Sequence, residues 1–234
     1  MTERWYMATG PYLDGVSGNE EFIAAMLDAA HDKTAAGNGP RLDSMLSQVV
    51  LASAKGTAAS AIRSAYGDTL HLQREVIEDA HALTAIIDAC GKTGNGEIGA
   101  TLCLRSSHDI ERAWEITRQH RTKVIDAIRT ARPLEGSPGI FEVKGTALGS
   151  DVADILIRDL SPAGPILVYA QGTDGCHISA RAKKGTKADI GPLVRRLAES
   201  CGGSGGGHVL RAGATIPCDQ VGAFAKGWQE ALAA

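Results

Sequence analysis

The hydrophobic positions fall into two regimes along the chain. From residue 17 to about 130 they recur at helical spacing. "SGNEEFIAAMLDAA" places Phe22, Ile23, Met26, Leu27 and Ala30 on one face behind a capping box of Ser17 and Glu20. "RLDSMLSQVVLASA" repeats the pattern through Leu42, Met45, Leu46, Val49 and Val50, after the turn-rich "AAGNGP". "DTLHLQ" alternates like a short strand. "EDAHALTAIIDACG" returns to helical period through Ala80, Leu83, Ile86, Ile87 and Cys90, with Gly91 as the stop. "SSHDIERAWEITRQHRTKVIDAIRTAR" predicts a long helix, capped by Ser106 and Asp109 and buried along Ile110, Trp114, Thr117, Val124 and Ile128.

After "RPLEGSPG", residues 132 to 139, the period changes. "IFEVKG" reads as strand, "SDVADILIRDL" as helix, "GPILVYAQG" as a buried strand and "GCHISARA" as an alternating one. "DIGPLVRRLAES" then reads as helix, "HVLRAGATIP" as strand and "DQVGAFAKGWQEALAA" as a terminal helix. The expectation is an α/β protein with a mainly helical region over 1–132 and a small α/β domain with a mixed sheet over 138–234.

Composition narrows the class. The 234 residues are 44% hydrophobic and 22% charged with a formal net charge of -3, an ordinary globular balance that neither implies nor excludes nucleic acid. Five scattered cysteines form no C-x-x-C pair, which argues for a reducing compartment. The first residues lack the apolar core of a signal peptide, and no run of about 18 apolar residues occurs. A cytoplasmic protein without a membrane partner is expected.

Two stretches imitate sites. "CGKTGNGEIGATL" holds a Gly-Lys-Thr and a G-x-G-x-x-G, but the glycine a P-loop needs is replaced by Ile86, and a helix rather than a strand precedes the glycines. It reads as a loop ending that helix. "SSHDI" and "AAHDK" pair histidine with aspartate without a second cluster at ligand spacing, and read as surface histidines.

The informative stretch is "CGGSGGGHVLRAG", residues 201 to 213. Gly205, Gly206 and Gly207 cost folding entropy, so their retention implies positive φ or close backbone approach. Exposed amides in such a turn form an anion-binding concavity, and His208 can donate to the same anion. On the strand before it, His177, Ser179 and Arg181 share one face at period 2. An imidazole, a hydroxyl and a guanidinium in a row suit phosphate better than they suit a core. Arg211 is either a further phosphate contact or a solvent-facing side chain. Aromatic residues are 4% of the chain and absent from both motifs, so contact is expected with phosphate and sugar rather than by base stacking.

H-x-S-x-R followed by G-G-G-H-x-x-x-A-G resembles the DHHA1 domain, the accessory substrate-binding domain of the DHH phosphoesterases, over roughly 138 to 234. "GPYLDGVSGNEE" and "IIDACGKTGNGEIGATLCL" are similar to the middle region of archaeal RecJ-like single-strand exonucleases. The resemblance implies that a separate DHH domain holds two Mn²⁺ or Mg²⁺ ions while this domain closes over a single strand. No D-H-H triplet occurs here, so no cofactor is expected on this chain and its status as an enzyme stays open. The expected partners are single-stranded nucleic acid and either a separate DHH chain that completes an exonuclease or replisome subunits scaffolded by a silent relative. Where relatives carry Pro after the glycine-histidine motif, this chain has Val209. Lys92 and Asp88 stand where relatives carry Arg and Asn, which leaves Lys92 a weaker candidate contact.

Overall fold

The structure is a computed structural model that describes residues 11–30, 42–64, 70–160, 164–186 and 189–233. The "AAHDK" and "AAGNGP" readings lie outside these residues, as does the start of "DTLHLQ". The chain divides into two compact units, residues 1–125 and 126–234.

The first unit is helical: α1 (Glu20–Ala30), α2 (Leu42–Ser53), α3 (Ala59–Ser64), α4 (Ala80–Lys92), α5 (Gly96–Cys103) and the start of α6 (Ile110–Thr130). One cluster joins Leu13, Val16, Met26 and Val49, and another joins Ile77, Ala82, Ile86, Cys90, Ile98, Leu102 and Ala113. Asn19, not Ser17, caps α1: its Oδ1 accepts from Phe22 N at 3.1 Å, while the Ser17 hydroxyl accepts from Leu13 N. Within 70–73, expected as strand, only His71 bridges, to Asp79. Asp79 caps α4 by accepting from Ala82 N at 2.7 Å. Gly91 does not stop this helix. The turn comes at Gly94, whose φ of 75° is the left-handed conformation that ends helices. The G-x-G-x-x-G stretch is therefore more than a loop, because its last two glycines lie in α5. Gly99 packs there against Cys90 and Ile87.

The second unit holds a six-stranded mixed sheet in the order β1-β2-β3-β4-β6-β5. Its strands are β1 (Arg132–Pro133), β2 (Ile140–Glu142), β3 (Ile166–Gln171), β4 (Cys176–Arg181), β5 (Ser204–His208) and β6 (Arg211–Ile216). Only the β2/β3 pair is parallel. The segment 132–139 forms β1 and the turn into β2. Three helices complete the unit: α7 (Gly149–Ile155), α8 (Ile190–Ser200) and α9 (Val221–Ala233). The segment expected as helix over 150–160 is helical throughout, α over Gly149–Ile155 and widening to π over Leu156–Leu160.

The two faces of the sheet differ. Leu167, Tyr169, Cys176, Ile178, Ala180, Ala212, Ala214 and Ile216 form the main core with Ile190, Val194 and Ala198 of α8 and Phe224, Ala225 and Trp228 of α9. On the opposite face α7 lies over β3 and β4, close enough that a methyl on Gly149 would sit 3.7 Å from Ser179 Oγ. Among the described residues that helix packs mainly on β3 and β4 rather than on β5 and β6.

The glycine run, expected as a turn, is an edge strand. Gly205, Gly206 and Gly207 pair with Ala214, Gly213 and Ala212. The strand expected from His208 onward is broken at Val209 and Leu210, which turn β5 into β6.

Candidate functional site

Antiparallel register fixes which side chains share a face, since directly opposed residues point the same way. Arg181 opposes Arg211, and Arg211 opposes His208. Ser179 opposes Gly213, which opposes Gly206. His177 opposes Thr215, which opposes Ser204. Three rows of three thus occupy the face that α7 covers only in part. His208, Arg211 and Ser204 are exposed, and Gly206, Gly213, Thr215, Ser179 and His177 are half-buried. They make a shallow polar shelf.

Arg181 lies at the inner end of the first row with its side chain only 8% exposed. Its guanidinium is engaged on three nitrogens: Nε donates to Asp154 Oδ1 at 2.5 Å, Nη2 to Ser150 Oγ at 2.7 Å and Nη1 to the Ala180 carbonyl at 2.9 Å. Ser150 and Asp154 are one helical turn apart on α7, so they reach the same guanidinium together. Arg211 is 66% exposed and contacts the same Asp154 Oδ1 through Nη2 at 3.1 Å. Arg158, in the π turn, is held by Asp159 at 2.5 and 2.7 Å. Those bonds, with a further contribution from Asp154, raise its pKa despite partial burial.

At the other end of the shelf His177 Nε2 lies 2.7 Å from Asp174 Oδ1. That hydrogen bond holds the Asp174 carboxyl below the usual range. Lys92 lies in the other unit, in an ion pair with Asp88 at 2.6 Å.

Close approach explains the glycines. A Cβ at Gly207 would lie 2.3 Å from the Arg211 carbonyl oxygen, and one at Gly205 would lie 2.7 Å from the Ala214 methyl. The start of α8 leans on this strand, with Ile190 N donating to the Val209 carbonyl at 3.2 Å. At Gly206 the space is taken by Arg195 of α8, whose Nε and Nη2 lie 3.4 Å from where a Cβ would stand.

The sequence reading missed Asp154, Ser150, Ser204, Thr215 and Arg195. Ser150 and Asp154 stand four residues apart in a segment read only as helix, and nothing in the sequence says that it covers β4. Ser204 and Thr215 follow only once the hairpin is known, and Val209-Leu210 lacks the Asn-Gly signature of a two-residue turn. Among the described residues no group of three or more His, Cys, Asp or Glu could hold a metal ion. No described helix is long and apolar enough to cross a membrane.

Comparison with known proteins places this sheet. Residues 146–234 match the DHHA1 domain. An uncharacterized protein of Methanocaldococcus jannaschii is 27% identical over 163 residues, covering 67% of this chain and 36% of that protein. The chain thus spans about a third of the length of this curated relative. Among solved structures, Thermus thermophilus RecJ in complex with Mn²⁺ is similar over 80% of this chain and 27% of its own, with a TM-score of 0.48 and 19% identity. The C-Ala domain of Aquifex aeolicus alanyl-tRNA synthetase is similar over 41% of this chain and 88% of its own, with a TM-score of 0.37 and 19% identity. The shelf of His208, Arg211 and the glycine strand accordingly lies within residues 146–234, which match the DHHA1 domain.

Proposed function

We propose that the C-terminal unit binds the phosphate backbone of single-stranded nucleic acid on the β4-β6-β5 shelf. The observation that supports this most directly is the row from Arg181 through Arg211 to His208. It sets an exposed guanidinium beside an exposed imidazole at the outer end of the shelf. Arg211 can present a fork of donors to a phosphate, and His208 can add one more. Ser204, Thr215 and Ser179 offer hydroxyls along the next rows. Gly206 adds no side chain of its own to the shelf.

The roles within the row differ. Arg181 is a positioning residue that holds α7 against β4, and Arg211 and His208 are the contact residues. No hydrolytic step is assigned to the described residues, and Mn²⁺ or Mg²⁺ chemistry is left to a DHH domain. Lys92, paired with Asp88, is assigned no ligand contact.

The test is fluorescence anisotropy of a labelled single-stranded oligonucleotide. Arg211→Ala and His208→Ala should each weaken binding on the order of tenfold, the loss of one charge-assisted hydrogen bond. Unchanged affinity in both variants would remove the shelf as the binding site.

A further inference from the structure

We infer that Asp154 is a built-in anion that Arg211 exchanges for a ligand phosphate, so that competition within the chain sets the affinity of the shelf. The inference rests on the phosphate-binding reading above and specifies how that site is regulated.

One carboxylate oxygen serves two guanidinium groups. Asp154 Oδ1 receives Arg181 Nε at 2.5 Å and Arg211 Nη2 at 3.1 Å. The two arginines hold it on unequal terms. Arg181 is buried and has further bonds to Ser150 and the Ala180 carbonyl, so its orientation survives without Asp154. Arg211 is two-thirds exposed, and its contact to Asp154 uses one nitrogen of the fork.

A carboxylate oxygen and a phosphate oxygen compete for the same guanidinium edge, and phosphate matches it equally well in geometry. Arg211 can therefore pivot outward to a phosphate while Arg181 keeps Asp154 in place. Until that exchange occurs, Asp154 offsets one of the two positive charges and repels an approaching anion. Arg158, whose charged form Asp154 also favours, lies in the same field. A site built this way releases its ligand readily and responds to any partner that draws Asp154 away from Arg211.

The experiment compares the full chain with Asp154→Asn, Arg211→Ala and the double variant, using anisotropy of a labelled single-stranded oligonucleotide at fixed salt. Asp154→Asn should bind about two- to fivefold tighter, the worth of one exposed ion pair. The gain should vanish when Arg211 is alanine. Equal or weaker binding by Asp154→Asn, with Arg211→Ala still impaired, would overturn the inference and leave the phosphate shelf standing. Equal binding by the full chain and Arg211→Ala would overturn the phosphate reading and the inference with it. If Asp154→Asn fails to fold, the side-chain Nε–H resonances of the unaltered chain decide the question. On titration with the oligonucleotide, the Arg211 signal should move and the Arg181 signal should not. Joint movement of both, or a static Arg211, would overturn the inference.

Discussion

Gly191 at the start of α8 faces the Gly207 carbonyl on β5 so closely that a Cβ at position 191 would lie 2.6 Å from that oxygen. A side chain at 191 would collide with the strand, and one at 207 with Arg211 and Ala212 of β6. Gly191→Ala and Gly207→Ala should each destabilise the C-terminal unit by roughly 1–3 kcal/mol, as overpacking does. Gly207→Ala carries the added cost of a backbone at φ 156°. Chemical denaturation of each variant measures this, and a loss below a few tenths of a kcal/mol would show that the contact relaxes freely.

Arg181 should act on stability rather than on ligand contact. Removing the buried guanidinium takes away the partner that Asp154 and Ser150 share, while Asp154 keeps Arg211, so the cost should be about 1–3 kcal/mol. Arg181→Ala should lower the melting temperature of the C-terminal unit. Arg211→Ala and His208→Ala, both exposed, should leave it nearly unchanged.

Cysteine chemistry separates buried from exposed thiols. Burial pushes the Cys176 thiol up to about 12, with the neighbouring Cys218 thiol adding to the shift, and burial raises Cys90 as well. Cys103 and Cys218 are exposed. A thiol-alkylating reagent at mildly alkaline pH should label Cys103 and Cys218 while sparing Cys90 and Cys176, as read by peptide mass spectrometry. Because the folded chain holds the Cys176 proton more tightly than the unfolded chain, this group's stabilising contribution is full below pH 9. It is lost progressively as pH rises from 9 toward about 12.

Salt dependence should be shallow. If Arg211 neutralises one phosphate, the slope of log affinity against log salt is about -0.7 for a single strand, and Arg211→Ala flattens it further. Titrations between low and moderate salt check this. A slope near zero would point to contacts other than phosphate.

Most helices and strands were legible because their buried faces follow simple periods. Ile190, Leu193, Val194 and Ala198 of α8 mark a helix, and Cys176, Ile178 and Ala180 of β4 mark one side of a strand. The shared side of His177, Ser179 and Arg181 was legible for the same reason. Which of them would be enclosed was not, because period 2 names the face and says nothing of the helix laid over it. Burial of Arg181 depends on α7, whose Ser150 and Asp154 meet it across 31 and 27 residues. The glycine strand escaped recognition because glycine has no β propensity of its own. Gly205 to Gly207 are extended through pairing with β6 and the approach of α8.

β5 ends the sheet, and its three glycines carry no side chain that could obstruct a second sheet. Terminal strands of this kind invite chain-to-chain pairing unless a charge or a covering element intervenes. Arg195 supplies such a charge from outside the strand, with its guanidinium alongside Gly206. A neutral side chain at 195 should therefore raise edge-to-edge association of the concentrated protein, which sedimentation velocity would read as a shift to larger species.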